Sequence, residues 1–362
     1  MVARLTNVIK NVKDRDSNME LLRIICMLLI LIHHFIIHPL YPSLLARDGD
    51  INIYRIACIV ICGFAFVGVN CFIMISGYYG IKFRFKSLFN LYCICAFYAL
   101  LAVLMKYVLG ITSLDKNQLY LILLPFSHSE WWFIKCYVAL FLISPILNAA
   151  ADKLTKNDFA CSLILLTILN IYFGFYWHEH NYNGYNLVQF IYVYLIGAYL
   201  RRYPLTKLDI KRSVFLYISC SVIWSILTTL SLRWKVPHWG ALHYNNPFVL
   251  LASIGLFISM SRVTIHNQKI NLIASSVLAA YLIQDVEEGW VYYCSALFNK
   301  TILLPLNSVF LKAALMIAFV LIGSITVLGA SFLIDRIRIQ LMKPVWMFYE
   351  WTSNRLKIAV SQ

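Results

Sequence analysis

The chain has 362 residues, of which 61% are hydrophobic and 13% charged, with a formal net charge of +15. A typical soluble domain is about half apolar and a quarter charged, so this composition excludes one soluble core. The basic excess does not imply a nucleic-acid partner: no separate basic domain exists, and basic residues of membrane proteins collect in cytoplasmic loops.

Apolar runs recur between short polar breaks, the pattern of an all-α, polytopic transmembrane helical bundle. A spanning helix needs about 20 apolar residues. Ten candidates follow one another, at 21–40, 56–79, 88–108, 132–150, 159–176, 187–200, 213–232, 248–261, 271–285 and 309–334. The sixth, eighth and ninth are short; they either tilt little, start earlier or lie partly in a protein-lined cavity. Ten spans put both termini on one side. That side would carry 21 Lys and Arg, including Arg201, Arg202, Lys207, Lys211 and Arg212, against 8 opposite, with Arg23 and Lys135 inside spans. The division holds loop by loop and predicts that both termini are cytoplasmic. Residues 1–335 would form the membrane domain and 336–362 a basic cytoplasmic tail with the character of a short interfacial helix. The first span follows a long mixed-charge stretch without a small-residue cleavage site, so it reads as a retained helix rather than a signal peptide. Most of the ten cysteines lie inside apolar runs, where Cys acts as a small hydrophobe.

The first span carries Arg23, His33, His34 and His38. Ionisable groups inside a membrane are rare and usually functional. Arg23 and His34 are eleven residues apart, roughly 1100° of helical turn, so both point to one face about 16 Å apart along the axis. Arg23 alone reads as a snorkelling anchor or as a contact for an anionic phosphate or carbonyl, with Glu20 placed to pair with it. His34 has the ordinary pKa of a general base near neutrality. His33 points about 100° away and is expected to support it. His34 and His38 have helical metal-ligand spacing, but no third ligand is evident, and no metal is expected.

The second span contributes Asn70, Ser76 and Tyr78, with Gly68, Gly77 and Gly80 permitting close helix approach or an irregular end. Lys82, Arg84 and Lys86 follow; they set topology by default and would also attract phosphates. The loops expected outside are rich in His, aromatic and acidic residues: His128, Glu130, Trp131 and Trp132; Trp177 to Tyr182; Trp234 to Tyr244; and Asp285, Glu287, Glu288 and Trp290. They suit an ordinary interfacial belt or a sugar-binding surface, with Glu130 and Trp132 as candidate contacts. No glycine-rich phosphate loop and no Gly-x-Ser-x-Gly elbow occurs, which argues against an ATP-driven transporter and a soluble-type serine esterase.

The run Asn18-Met-Glu-Leu-Leu-Arg through His33-His34 resembles the opening of the bacterial acyltransferase-3 membrane family. Phe72-Ile-Met-Ile-Ser-Gly-Tyr-Tyr-Gly-Ile-Lys resembles its second-helix motif. Trp132-Phe-Ile-Lys-Cys-Tyr with the later Ser144-Pro145, the stretch from Asn246-Pro-Phe, and Ala280-Tyr-Leu-Ile-Gln continue the match in order. The group most similar is that of surface-polysaccharide O-acyltransferases. The resemblance implies about ten spans in the bacterial plasma membrane. It also implies transfer of an acyl group, acetyl being the usual one, from cytoplasmic acyl-CoA to a hydroxyl of a surface glycan or its lipid-linked precursor. Acyl-CoA would be a co-substrate, with no tightly bound cofactor; glycan and membrane lipids would be the other partners. The family's Arg-to-His spacing falls on Arg23 and His34, which makes His34 the catalytic residue and Arg23 a donor-side contact.

Two departures matter. Relatives often end the late helix Tyr-Leu-x-His, whereas this chain has Tyr281-Leu-Ile-Gln284, so the role of that His is absent or passes to Gln284 or Asp285. Many relatives carry Arg-x-x-Arg after the second span, whereas Lys82, Arg84 and Lys86 stand here, and paired-Arg geometry is lost. The expected reaction uses His34 as general base or, in a variant, as an acyl carrier, with Asn70, Ser76 or Tyr78 as candidate oxyanion donors. A transporter or flippase of lipid-linked sugars is the alternative from another class; a membrane sensor or scaffold is a third.

Overall fold

Every apolar run of the sequence folds as helix, and the described residues contain no strand. The computed structural model describes residues 15–47, 49–128, 131–236, 242–284 and 290–360, the side chains of 290 and 354–360 aside. Helix α1 (Ser17–Phe35) passes into a π-helical turn at Ile36–Leu40 that contains Pro39. Then come α2 (Ile53–Ala65), α3 (Gly68–Tyr79), α4 (Phe85–Val108), α5 (Lys116–Leu123) and α6 (Trp132–Lys153). Helix α7 (Lys156–Thr167) is extended by a π-helical stretch, Ile168–Tyr176. The chain continues through α8 (Leu187–Arg202), α9 (Ile210–Arg233), α10 (Pro247–Ser261), α11 (Gln268–Ala274) and α12 (Val277–Gln284). Helix α13 (Trp290–Phe298) has a π-helical end at Asn299–Leu303, and α14 (Val309–Leu341) and α15 (Lys343–Val360) close the chain.

Seven stretches among the described residues are long and apolar enough to cross a membrane: Ser17–Leu40, Ile53–Tyr79, Phe85–Val108, Trp132–Lys153, Lys156–Tyr176, Ile210–Arg233 and Val309–Leu341. The three segments that are short in the sequence are short in the structure. Helix α8 has 16 residues and α10 has 15. The segment 271–285 is not one helix: it breaks at Ser275–Ser276 into α11 and α12. The second apolar run also breaks, at Phe66–Val67, between α2 and α3. Broken helices are tolerated in a membrane only where neighbouring protein satisfies the freed backbone groups. Here Phe66 N–H donates to Cys62 O at 2.9 Å and Ser276 N–H to Ile273 O at 3.1 Å.

Small residues set how closely the helices approach. A Cβ at Gly77 of α3 would overlap the carbonyl oxygen of Tyr194 on α8, and one at Gly197 of α8 would overlap that of Met74 on α3. A Cβ at Gly68 would lie 2.8 Å from the carbonyl oxygen of Cys26 on α1. With no hydrophobic drive between helices in lipid, such backbone-to-backbone contact is what dispersion and packing can use.

At one end of the bundle, here the basic end, the start of α1 is tied to chain segments far away. Ser17 Oγ accepts from Asn267 N–H at 2.9 Å, Asn18 Nδ2 donates to Met260 O at 3.0 Å, and Tyr79 Oη donates to Asp16 Oδ2 at 2.6 Å. The opposite, aromatic end gathers the starts of α6, α8 and α10, where Trp132, Tyr185 and Tyr244 pack ring on ring. Helix α14 runs past 335 to Leu341 without a break, and α15 folds back on the start of α4, stacking Tyr349 on Phe89 at 5.0 Å.

Arg55, in the first turn of α2, is fully buried. Its guanidinium donates to the carbonyl oxygens of Leu44 (2.9 Å), Gly49 (2.6 Å) and Ala46. The five donors of a guanidinium fork allow one side chain to satisfy several carbonyls, and this one closes the loop that follows the histidine helix.

Candidate active site

His33 and His34 are both buried near the end of α1, with ring centroids 5.4 Å apart and planes at 52°. They face different neighbours, as a 100° step requires. His34 lies beside the side chain of Gln284, the last residue of α12, whose Oε1 is buried without a hydrogen-bond partner among the described residues. Gln284 donates through Nε2 to the carbonyl oxygen of Leu31 at 3.2 Å, so α12 is tied to α1 one turn before His34. The edge of the His38 ring meets His34 at 5.3 Å. His33 instead lies against Phe66, 4.9 Å between centroids, at the break between α2 and α3. Its Nε2 is buried with no hydrogen-bond partner among the described residues, a condition most buried polar atoms avoid.

From His33 a run of rings leads to the aromatic end. Phe66 stacks on Tyr244 at 4.2 Å and 7°, and Tyr244 meets Trp132 at 5.5 Å and 30°. Trp132 therefore reaches the histidine pair through two intervening rings. Asn70 joins the same assembly: its Nδ2 donates to Tyr244 O at 2.9 Å and its Oδ1 accepts from Gln189 Nε2 at 3.0 Å. Gln189 continues the chain, accepting from Asn170 Nδ2 at 2.7 Å, and Asn170 accepts from Asn181. Asn70, Gln189, Asn170 and Asn181 are all buried. A fully satisfied buried amide chain of this kind fixes the elements that carry it. Asn70 holds Tyr244 in place, and one of its amide hydrogens is committed to doing so.

Arg23 belongs to a second group nearer the basic end. Its guanidinium pairs with Glu20, whose Oε1 also lies 3.6 Å from Arg15. The Arg23 charge is within electrostatic range of Tyr79 on α3 and Tyr137 on α6. Tyr137 lies beside Ser76, whose Oγ donates to Phe72 O at 3.1 Å. The carbonyl of Tyr78 accepts from Arg201 Nη1 at 3.0 Å, and the Arg201 guanidinium lies 5.5 Å over the Tyr78 ring. One face of α6 joins the two groups. Phe133 stacks near-parallel on Tyr137 at 5.9 Å and meets Tyr281 of α12 at 5.6 Å, three residues before Gln284.

The remaining predicted residues stand apart. Lys82, Arg84 and Lys86 are exposed where α3 gives way to α4, and Lys86 lies 3.4 Å from Glu350 of α15. Glu130 and Asp285 lie outside the described residues. Within the apolar runs, Cys26, Cys58, Cys62, Cys71, Cys93 and Cys95 are buried free thiols.

A family model described as an acyltransferase domain, Acyl_transf_3, matches residues 16–336. The chain belongs to the acyltransferase-3 family. Comparison with curated proteins and with solved structures returns no match. Membership makes the protein a membrane acyltransferase, and the acyltransferase-3 match covers the histidine pair and Arg23 alike. Phe66, Tyr137, Gln189, Tyr244 and Tyr281 connect the predicted residues and were not among the candidate site residues of the sequence. Tyr137 and Tyr281 sit within stretches that resemble family motifs, a usable signal. Tyr244 closes the aromatic loop expected outside, a weaker signal; Phe66 and Gln189 carry none, because a lone aromatic or amide in an apolar run reads as ordinary packing.

Proposed function

We propose that this chain is an O-acyltransferase of the bacterial plasma membrane. It would carry an acyl group, acetyl being the first to test, from cytoplasmic acyl-CoA to a hydroxyl of a cell-surface polysaccharide or its lipid-linked precursor. The observation that carries this reading is the buried His33–His34 pair set between two different approaches. One runs through the Phe66, Tyr244 and Trp132 rings to the aromatic end; the other runs along the Phe133 and Tyr137 face of α6 towards Arg23. The sequence charge map, with ten spans and both termini cytoplasmic, would put Arg23 at the cytoplasmic end and the rings outside.

On this reading the CoA phosphates approach the positive charge of Arg23, Lys82 and Arg84. The thioester reaches inward towards His34, and the acceptor hydroxyl enters between the rings. His34 takes the hydroxyl proton as the oxygen bonds to the thioester carbonyl carbon. The carbonyl π pair moves onto oxygen and returns as the carbon–sulfur bond breaks. The CoA thiolate then receives the proton from His34, giving the acyl ester and free CoA. Gln284 holds the His34 ring in one orientation, as the partners of a catalytic imidazole commonly do. The Trp132 and Tyr185 rings suit the apolar faces of sugars, and the unpartnered Nε2 of His33 offers the acceptor one further hydrogen bond.

The deciding experiment replaces His34 with Ala and follows acyl incorporation from radiolabelled acetyl-CoA into the polymer fraction of membranes. Loss at normal protein level is expected; retained incorporation would remove His34 from the reaction. Acetyl-CoA binding to the purified protein separates this reading from a flippase of lipid-linked sugars, which needs no CoA.

A further inference from the structure

A second buried polar cluster lies outside both groups. Asp335 and Arg338, on α14, are buried and form an ion pair at 2.7 Å. Asp335 Oδ1 also accepts from Tyr98 Oη of α4 at 3.2 Å, and Oδ2 accepts from Ser276 Oγ at 2.7 Å. Arg336 donates to Ser275 Oγ at 2.9 Å and Ser276 Oγ at 2.5 Å. A charge taken out of water is tolerated only when paired and hydrogen-bonded, and inside a membrane protein such a group is a functional candidate by default.

The cluster sits on the Ser275–Ser276 break. Because α11 stops at Ala274, the direction of α12 does not follow from α11; the contacts at its first turn set it. The Asp335 carboxylate lies at the N-terminal end of α12, where the helix dipole favours a negative charge. Ser276 joins the two directly. The residues from Val277 to Ile283 are buried apart from Leu278, so α12 has no room to swing. Its far end is Gln284, eight residues and about 12 Å along the axis, where it meets His34 and the Leu31 carbonyl.

We propose that Asp335 is a positioning residue for transfer. With Arg338, Tyr98 and Ser276 it anchors one end of α12, and α12 acts as a rigid strut that sets Gln284 against His34. This rests on the acyltransferase reading above. A displacement of order 1 Å at a catalytic group is enough to cost about a hundredfold in rate, so a loosened anchor should be visible in turnover.

The test is a double-mutant cycle with Asp335→Asn and Gln284→Ala, read as acetyl transfer from acetyl-CoA into the membrane polymer fraction. Asp335→Asn should lower kcat about tenfold with the acetyl-CoA KM within about twofold, and should cost less than about threefold more when Gln284 is already Ala. Asp335→Glu should recover part of the loss. A full tenfold loss in the Gln284→Ala background would overturn the strut, as would an equal rise in KM. Should Asp335→Asn fail to accumulate, Ser276→Ala, which leaves the ion pair intact, completes the same cycle with the same criteria. Activity retained by His34→Ala would instead overturn the functional reading.

Discussion

Gln284 holds Leu31 through its amide, 3.2 Å from Nε2 to the carbonyl oxygen, while the same side chain lies beside His34. A residue at the end of one short helix thus spans one turn of the helix that carries the histidines. Gln284→Ala should lower kcat about tenfold, the worth of one oriented hydrogen bond, without changing protein level. Gln284→His, which keeps a hydrogen-bonding side chain beside His34, should keep more activity than Ala. Equal loss in both variants would show that a polar partner for His34 is not what position 284 supplies.

His34→Ala should cost about 10²- to 10⁴-fold in transfer rate, the range for loss of a general base. His33→Ala should cost less, because its ring packs on Phe66 and does not meet Gln284. The reverse order of the two losses, at equal protein levels, would exchange their roles.

Arg23→Gln should raise the acetyl-CoA KM about tenfold with kcat little changed, as loss of a charge-assisted contact to the donor predicts. Glu20 keeps Arg15 at 3.6 Å, so folding should survive. Steady-state kinetics over a range of acetyl-CoA concentrations checks this; a fall in kcat at unchanged KM would place Arg23 in the chemical step instead.

Gly77→Ala and Gly197→Ala should each destabilise by about 1–3 kcal/mol, the usual cost of overpacking. Each new methyl group would press on a carbonyl oxygen of the facing helix. Gly110→Ala is a poor control because its φ is +68°. Gly329→Ala is the proper one, since no atom lies within 4 Å of its Cβ site. Thermal denaturation in detergent should rank the first two well below the third.

Arg55→Lys should destabilise by about 1–3 kcal/mol, because an ammonium cannot reproduce the fork that reaches Leu44, Ala46 and Gly49. The expected signature is faster proteolysis in the 41–50 loop with the acetyl-CoA KM unchanged. Equal proteolysis rates in the two proteins would refute the staple.

The apolar runs, the Arg23–His34 spacing and the glycines of α3 were all readable along the chain. Hydropathy is a local property, and helical period converts spacing into facing. The break at Ser275–Ser276 was not readable, since two serines in an apolar run look like tolerated helix residues. The burial of Arg55 was not readable for a related reason: a charge beside a loop is indistinguishable in sequence from one buried against its carbonyls.

The sequence by itself determined an all-helical chain with long apolar helices, a family, and a charged residue and histidines on its first helix. Only the tertiary structure decided their partners: Gln284 for His34, Phe66 for His33, Tyr137 near Arg23, and Asp335 for Ser276. Periodicity tells which face of a helix is buried, but any apolar face can meet any other. Which side chains finally touch depends on close approaches such as Gly77 to Tyr194 and on buried polar groups that tolerate no other neighbour.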